Sequence, residues 1–216
     1  MPAQKLSRRD FLKIAGVTVG AAALTCSGAG YLATRTPEFE SPELTFGKES
    51  TVKNRVLVTY ATRAGSTAEI AAAIGESLGQ RGLAVDVKAV KDQPDLNGYQ
   101  SVIMGSPIRM GKWLPEAVKF IEANQAALGQ KDVALFTVHM LNTGDDEDSR
   151  AGRWAYLDNV RALVNDAEEV YFEGKMDFSR LSFLDRFIAK MVGSVESDNR
   201  DWDKILGWVP VTLEGA

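Results

Sequence analysis

From residue 55 onward, the apolar positions switch repeatedly between the spacing of a strand and that of a helix. Val56–Ala61 is a short apolar run, predicted as the first strand. In Thr67–Gln80, Ile70, Ile74 and Leu78 fall on one helical face, with Gly82 just past the end. Ala84–Val90 alternates Val85, Val87 and Ala89 as a second strand, and Ser101–Gly105 is a third. Leu114–Ala127 reads as a helix whose first turn tolerates Pro115. Val133–Val138 is an apolar run of the kind found in central parallel strands. Ala151–Val164 is a helix, Glu168–Glu173 a fifth strand and Asp201–Trp208 a last helix. Between these last two, Phe183, Leu184, Phe187, Ile188, Met191 and Val192 form one helical stripe, with Arg186 and Lys190 off it. That stripe either faces lipid or packs on its own domain. Strands alternating with helices predict an α/β fold, an open parallel sheet with helices on both faces. Ligands of such sheets sit beyond the carboxyl ends of the strands, where the strand order switches. Three loops aim there: Thr62–Thr67, Ser106–Trp113 and His139–Arg153.

The amino terminus is organised differently. Ser7-Arg8-Arg9-Asp10-Phe11-Leu12-Lys13 resembles a twin-arginine export signal, followed by a weakly apolar run from Ile14 to Leu24. That route carries folded proteins, which suits a cargo with a non-covalent cofactor. Residues 1–33 are therefore a signal or an anchor. Ser27-Gly28-Ala29 offers a small-residue cleavage site, and an apolar stretch continued to Ala33 approaches the roughly 20 residues that span a bilayer. Cys26, preceded by Leu24-Thr25, lies in a poor context for lipid attachment. Residues 34–54, with Pro37 and Pro42, read as a linker, and 55–216 as the domain. The protein is expected in the periplasm or on the outer face of the cytoplasmic membrane.

The first loop carries the clearest chemistry. Tyr60-Ala61-Thr62-Arg63-Ala64-Gly65-Ser66-Thr67 presents hydroxyls and backbone N–H groups at a helix start, where the dipole favours an anion. It has no Lys and lacks the Gly-x-Gly-x-x-Gly spacing, so neither the nucleotide loop nor the dinucleotide loop is present. Tyr60, Thr62, Gly65 and Thr67 resemble the phosphate signature of the flavodoxin-like family, with Thr59 where that family usually has an apolar residue. The resemblance implies a five-stranded sheet in the order 2-1-3-4-5. It also implies FMN, its phosphate wrapped by Thr62, Arg63, Ala64, Gly65, Ser66 and Thr67.

In that family the loop after the third strand borders the flavin ring. Ser106, Pro107, Ile108, Arg109 and Gly111 are then expected at the ring. Trp113 either stacks on it or sits half-buried at a helix start. Arg109 either meets a substrate carboxylate or the reduced flavin, or is a solvated loop residue. His139, the only His, is either a hydrogen-bond donor and proton shuttle or a satisfied structural residue. His139 and Arg109 are the candidate catalytic residues. Leu184-Asp185-Arg186-Phe187-Ile188-Ala189-Lys190 and Arg200-Asp201-Trp202-Asp203-Lys204-Ile205 resemble the tail of the menaquinone-dependent protoporphyrinogen IX dehydrogenase family, as does Pro107-Ile108-Arg109-Met110-Gly111. That resemblance implies a quinone acceptor and oxidation of a porphyrinogen. The export signal departs from it, and so does the acidic run Asp145-Asp146-Glu147-Asp148, which would repel porphyrin carboxylates. The run either docks a basic partner or is a solvated loop.

Composition narrows the alternatives. The 216 residues carry a formal net charge of −4, against a nucleic-acid binder. One Cys excludes an internal disulfide, and one Cys with one His argues against a zinc site, so no metal is expected. A phospho-receiver domain needs acidic residues at the ends of the first and third strands, where this chain has Ala61-Thr62 and Gly105-Ser106. The expected function is an FMN oxidoreductase passing electrons to a quinone or protein partner, with a membrane surface as a further partner. The alternative is an exported electron carrier with no small-molecule substrate.

Overall fold

The computed structural model describes residues 43–47, 55–164, 166–191, 193–210 and 213. The expected signal and most of the expected linker lie outside these residues. The described residues divide into two units, one within 39–176 and 197–216, the other within 177–196.

The larger unit is a seven-stranded sheet with flanking helices. In chain order its elements are β1 (Leu44–Phe46), β2 (Arg55–Tyr60), α1 (Ser66–Gln80), β3 (Ala84–Ala89), β4 (Ser101–Arg109), β5 (Lys112–Trp113), α2 (Pro115–Leu128), β6 (Asp132–His139), α3 (Glu147–Ala155), α4 (Asp158–Arg161), β7 (Glu168–Glu173), β8 (Lys175–Met176), β9 (Ser197–Asp198) and α6 (Trp202–Gly207). The main path is β1-β3-β2-β4-β6-β7. The pairs among β3, β2, β4, β6 and β7 are parallel. β1 adds to β3 in antiparallel register and β5 folds back on β4. The sheet is thus larger than the five strands expected, and Leu44–Phe46 is a strand where a linker was expected.

Period-two alternation divides the strands between two cores. Val56, Val58 and Tyr60 of β2, Ile103 of β4 and Phe136 of β6 pack with Ile70, Ile74 and Leu78 of α1 and Ile205 of α6. Leu57, Val102, Met104 and Leu135 pack on the other face with Ala117, Phe120 and Ile121 of α2 and with Leu157 and Val160. Burial on both faces explains the near-continuous apolar runs of β2, β4 and β6.

Helix α1 approaches the sheet closely because it lacks side chains where they would collide. A Cβ on Gly79 would lie 2.5 Å from the Phe46 Cβ, and one on Gly75 would lie 2.4 Å from the Val87 Cγ2. Each helical glycine costs about 1 kcal/mol relative to Ala, a cost offset here by seating β1. Along its outer side α1 carries α6: Ser77 Oγ donates to the Leu206 carbonyl at 2.8 Å, and Arg81 Nη2 does so at 3.3 Å.

The acidic run is a helix start. Asp146 accepts from Ser149 N at 2.9 Å and from Ser149 Oγ at 2.7 Å, and Glu147 and Asp148 occupy the first turn of α3. That placement favours carboxylates through the helix dipole. The helix expected over 151–164 is instead two, α3 and α4, separated at Tyr156–Leu157.

The segment 177–196, taken by itself, holds a single 3-10 turn, Phe178–Arg180, and helix α5, Phe183–Met191. Ser182 Oγ starts α5 by accepting from Asp185 N at 3.1 Å. Phe183, Phe187 and Met191, at i, i+4 and i+8, are 71%, 48% and 53% exposed. Among the described residues, no helix is long and apolar enough to cross a membrane.

Asp86, 5% exposed, ties β1 to β3 and β2. It accepts from Thr45 Oγ1 at 2.8 Å, Arg55 Nη2 at 2.5 Å and Tyr99 OH at 2.7 Å. Burial alone would raise its pKa, but the Tyr99 and Thr45 hydrogen bonds and the Arg55 charge together hold the carboxyl below its ordinary value. Its stabilisation is therefore complete above a pH of about 4 and is lost as pH falls through the folded-state pKa. Asp86→Asn is expected to lower unfolding free energy by about 1–3 kcal/mol at neutral pH and to flatten the acid limb, as measured by urea midpoints across pH.

Candidate functional site

Strands β2, β4 and β6 lie side by side, with Tyr60 opposite Gly105 and Pro107 opposite Val138. Their following loops therefore leave one edge of the sheet.

In the first loop, Ala61 N still donates to the Gly105 carbonyl at 2.9 Å, so the strand is held to its end. Thr62 Oγ1 then accepts from Gly65 N at 3.0 Å and closes the turn. Gly65 has φ +86°, a left-handed conformation that glycine adopts without a Cβ penalty. Glu69 N donates to the Gly65 carbonyl at 3.0 Å, which starts α1 at Ser66. The N–H groups of Ser66, Thr67 and Ala68 precede the point at which a helix supplies carbonyl partners. Thr67 lies on the same turn. Its hydroxyl is buried and, among the described residues, has no hydrogen-bond partner; the Thr59 hydroxyl in β2 shares that condition. The Arg63 side chain pairs with Glu116 in the first turn of α2 at 3.3 Å. Ala64 is half-buried.

The second loop is braced from inside. Ser106, fully buried, accepts from Leu114 N at 3.0 Å and donates to the Pro107 carbonyl at 3.0 Å. Ile108 pairs with Trp113, and Arg109 with Lys112. Met110 at φ 53° and Gly111 at φ 78° form the two-residue tip, the backbone of a type I′ hairpin. Trp113 does not present the open stacking face considered from sequence. It is 3% exposed in the core, and its Nε1 donates to Thr137 Oγ1 at 2.9 Å. Pro107 and Ile108 are half-buried, Arg109 and Gly111 exposed, and Met110 is 86% exposed.

The third loop is clamped by residues that the sequence did not single out. Arg153 Nη1 donates to the carbonyls of Asn142, at 2.5 Å, and Gly144, at 2.6 Å. Asn142 Nδ2 donates to Tyr156 OH at 2.8 Å. His139 is 4% exposed, with Nδ1 2.8 Å from the Leu141 carbonyl, so Nδ1 carries the proton and donates. Its ring lies 6.0 Å from Tyr156 and 6.4 Å from Tyr171. Burial is the main cause that lowers its pKa, outweighing the Leu141 hydrogen bond, which acts to raise it. His139 is thus buried, with its Nδ1 engaged by a backbone carbonyl.

The sequence-predicted residues thus fall into two groups. Thr62, Gly65, Ser66 and Thr67 converge on the start of α1. Ser106, Trp113 and His139 lie at the same sheet edge with side chains engaged internally. Among the described residues, no group of His, Cys, Asp or Glu could hold a metal.

These features define an open α/β domain with a donor-rich start to its first crossover helix. The chain belongs to the flavodoxin domain family, whose profile matches residues 57–203. Residues 5–25 match the twin-arginine translocation (TAT) pathway signal sequence, which supports export by that route. The chain is 22% identical over 163 residues to protoporphyrinogen IX dehydrogenase [quinone] of Escherichia coli strain K12, covering 70% of this chain and 90% of that protein. It is similar to a flavodoxin from the Archaea, at 21% identity over 64% of this chain and 99% of that one, with a TM-score of 0.42. It is also similar to oxidised flavodoxin 1 of Bacillus cereus, at 16% identity over 66% and 100%, with a TM-score of 0.43. Family membership points to FMN as the cofactor and to an FMN-type oxidoreductase or electron carrier as the function.

His139 offers a clean titration because the chain has no other His. Its folded pKa lies below the ordinary value of 6.5. The unfolded chain therefore binds a proton first, and stability declines as pH falls below about 6.5. Urea midpoints of His139→Gln are expected to lose that decline while keeping the acid limb governed by carboxylates.

Proposed function

We propose that this protein is an exported FMN oxidoreductase that passes electrons to a quinone-type acceptor in the periplasm or at the outer face of the cytoplasmic membrane. The observation that carries the cofactor site is the Thr67 hydroxyl, buried and, among the described residues, without a partner, beside the N–H groups that open α1. An unsatisfied buried hydroxyl costs about 1–3 kcal/mol, and a phosphate oxygen is the acceptor that would relieve it. The residues present fit FMN: hydroxyls and amides suit a monophosphate held without a cation.

In this reading Thr62 holds the turn, its Oγ1 engaged by Gly65 N. Ser66 and Thr67 donate to phosphate through hydroxyl and main chain. Arg63 and Ala64 complete the loop, Arg63 turned toward Glu116. Pro107, Ile108, Arg109 and Gly111 border the ring on the β4–β5 hairpin. Ser106, Trp113 and His139 keep that border rigid from below. Bound FMN supplies the electron and hydride chemistry, and the protein contributes orientation and electrostatics. The quinone acceptor is supported by the similarity to the quinone-dependent dehydrogenase of Escherichia coli. The burial of His139 supports a second reading, an electron carrier with no small-molecule substrate, because a buried imidazole is less suited to exchange protons with solvent.

The purified folded protein is expected to show a flavin absorbance spectrum or to acquire one with added FMN. Thr67→Val is expected to weaken FMN binding roughly ten- to hundred-fold, the effect of one charge-assisted hydrogen bond, while leaving the apoprotein as stable as before or more so. Thr59→Val removes the other unpartnered hydroxyl and is expected to stabilise the fold with FMN affinity unchanged. A colourless protein that takes up no FMN rules out the cofactor site. Reoxidation of the chemically reduced holoprotein by a soluble quinone separates the two readings; no reoxidation leaves the carrier.

A further inference from the structure

The first turn of α1 contains a carboxylate, Glu69. It stands at the fourth helical position, two residues beyond Thr67. A carboxylate there gains from the helix dipole, but the dianion of a phosphate monoester would draw on the same dipole. In a site whose donors are all neutral, a fixed negative charge one turn away weakens phosphate binding unless it is compensated.

Compensation comes from a distant part of the chain. The Arg200 side chain is 6% exposed, and its Nη1 donates to Glu69 Oε2. The guanidinium is fixed by Asp198, with Nε to Oδ1 at 2.7 Å and Nη2 to Oδ2 at 2.5 Å. Its plane lies over Trp202, 4.6 Å from the ring centroid. Asp198 itself is placed by the β8–β9 pairing, opposite Lys175. On the other side, Asp201 caps α6 by accepting from Lys204 N at 2.9 Å. The fork is therefore held by a strand on one side and a helix start on the other, with one edge left for Glu69.

We infer that Arg200 is a positioning residue of the phosphate site: shared between Asp198 and Glu69, it offsets part of the fixed negative charge in the first turn of α1 and so raises the preference for a phosphorylated over an unphosphorylated flavin. This rests on the phosphate-loop reading above and adds to it the electrostatic partner that the loop itself lacks. A purely structural Arg200 would support both flavins equally. An electrostatic one acts only on the ligand that carries phosphate.

The test is titration of the full folded chain with FMN and with riboflavin, followed by flavin fluorescence at low and high salt. Arg200→Met is expected to weaken FMN binding roughly three- to ten-fold at low salt, with riboflavin affinity unchanged. The gap should close at about 1 M salt, where the Debye length falls to about 3 Å. Arg200→Lys keeps the charge and is expected to keep the FMN preference. Glu69→Gln/Arg200→Met is expected to regain part of the lost FMN affinity, Asp198 remaining without its guanidinium partner. Should Arg200→Met fail to fold, Glu69→Gln alone carries the test, with FMN tightened and riboflavin unmoved. Equal losses for the two flavins in Arg200→Met, a double variant as weak as Arg200→Met, or a Glu69→Gln that leaves the FMN-to-riboflavin ratio unaltered each overturn the inference while the loop reading stands. A wild-type chain that binds neither flavin removes both.

Discussion

Helix α1 must satisfy three neighbours at once, and the rest of the domain follows from how it does so. Its inner face packs on β2 and β3 through Ile70, Ile74 and Leu78. Gly75 and Gly79 let Phe46 and Val87 come close enough to fill the space that side chains would have taken. Ser77 and Arg81 hold the Leu206 carbonyl of α6. A helix fixed at its middle and far end has little freedom at its start. The donors at Ser66–Ala68 are therefore oriented before any ligand arrives, which lowers the ordering cost of binding.

The polar residues along the carboxyl edge of the sheet divide their labour. Ser106, Trp113, His139, Asn142, Arg153 and Tyr156 bond within the protein and stiffen the two loops that face the start of α1. Each of these loops also presents one large apolar side chain outward: Met110 is 86% exposed and Leu141 is 74% exposed. Each stands at or next to a residue with positive φ, Met110 itself at 53° and Asn142 at 59°.

The alternation of strand and helix was legible because burial on two faces leaves a strong period in the apolar positions; β7 emerges at Glu168–Glu173, as expected. Three things were hidden. β1 is only three residues long, and it is stabilised by partners on other elements, Asp86 and the α1 glycines, rather than by its own pattern. The start of α3 was obscured because an acidic run looks solvated until Ser149 is seen returning to Asp146 as a cap. At the site, the hydroxyl loop was readable as a local motif, whereas the burial of Trp113 and His139 depends on Thr137 and on backbone carbonyls that claim their polar atoms. Local chemistry leaves a local signature; tertiary hydrogen bonding does not.

The tie between Glu69 and Arg200 joins residues 131 positions apart. Ribosomal synthesis reaches the first of them long before the second, so this pairing closes only after nearly the whole domain has been made. The finished electrostatic environment arises only once residue 200 has emerged and docked. On the proposed role of Arg200, flavin capture would belong to the completed polypeptide. That order suits a pathway that accepts cargo only after folding.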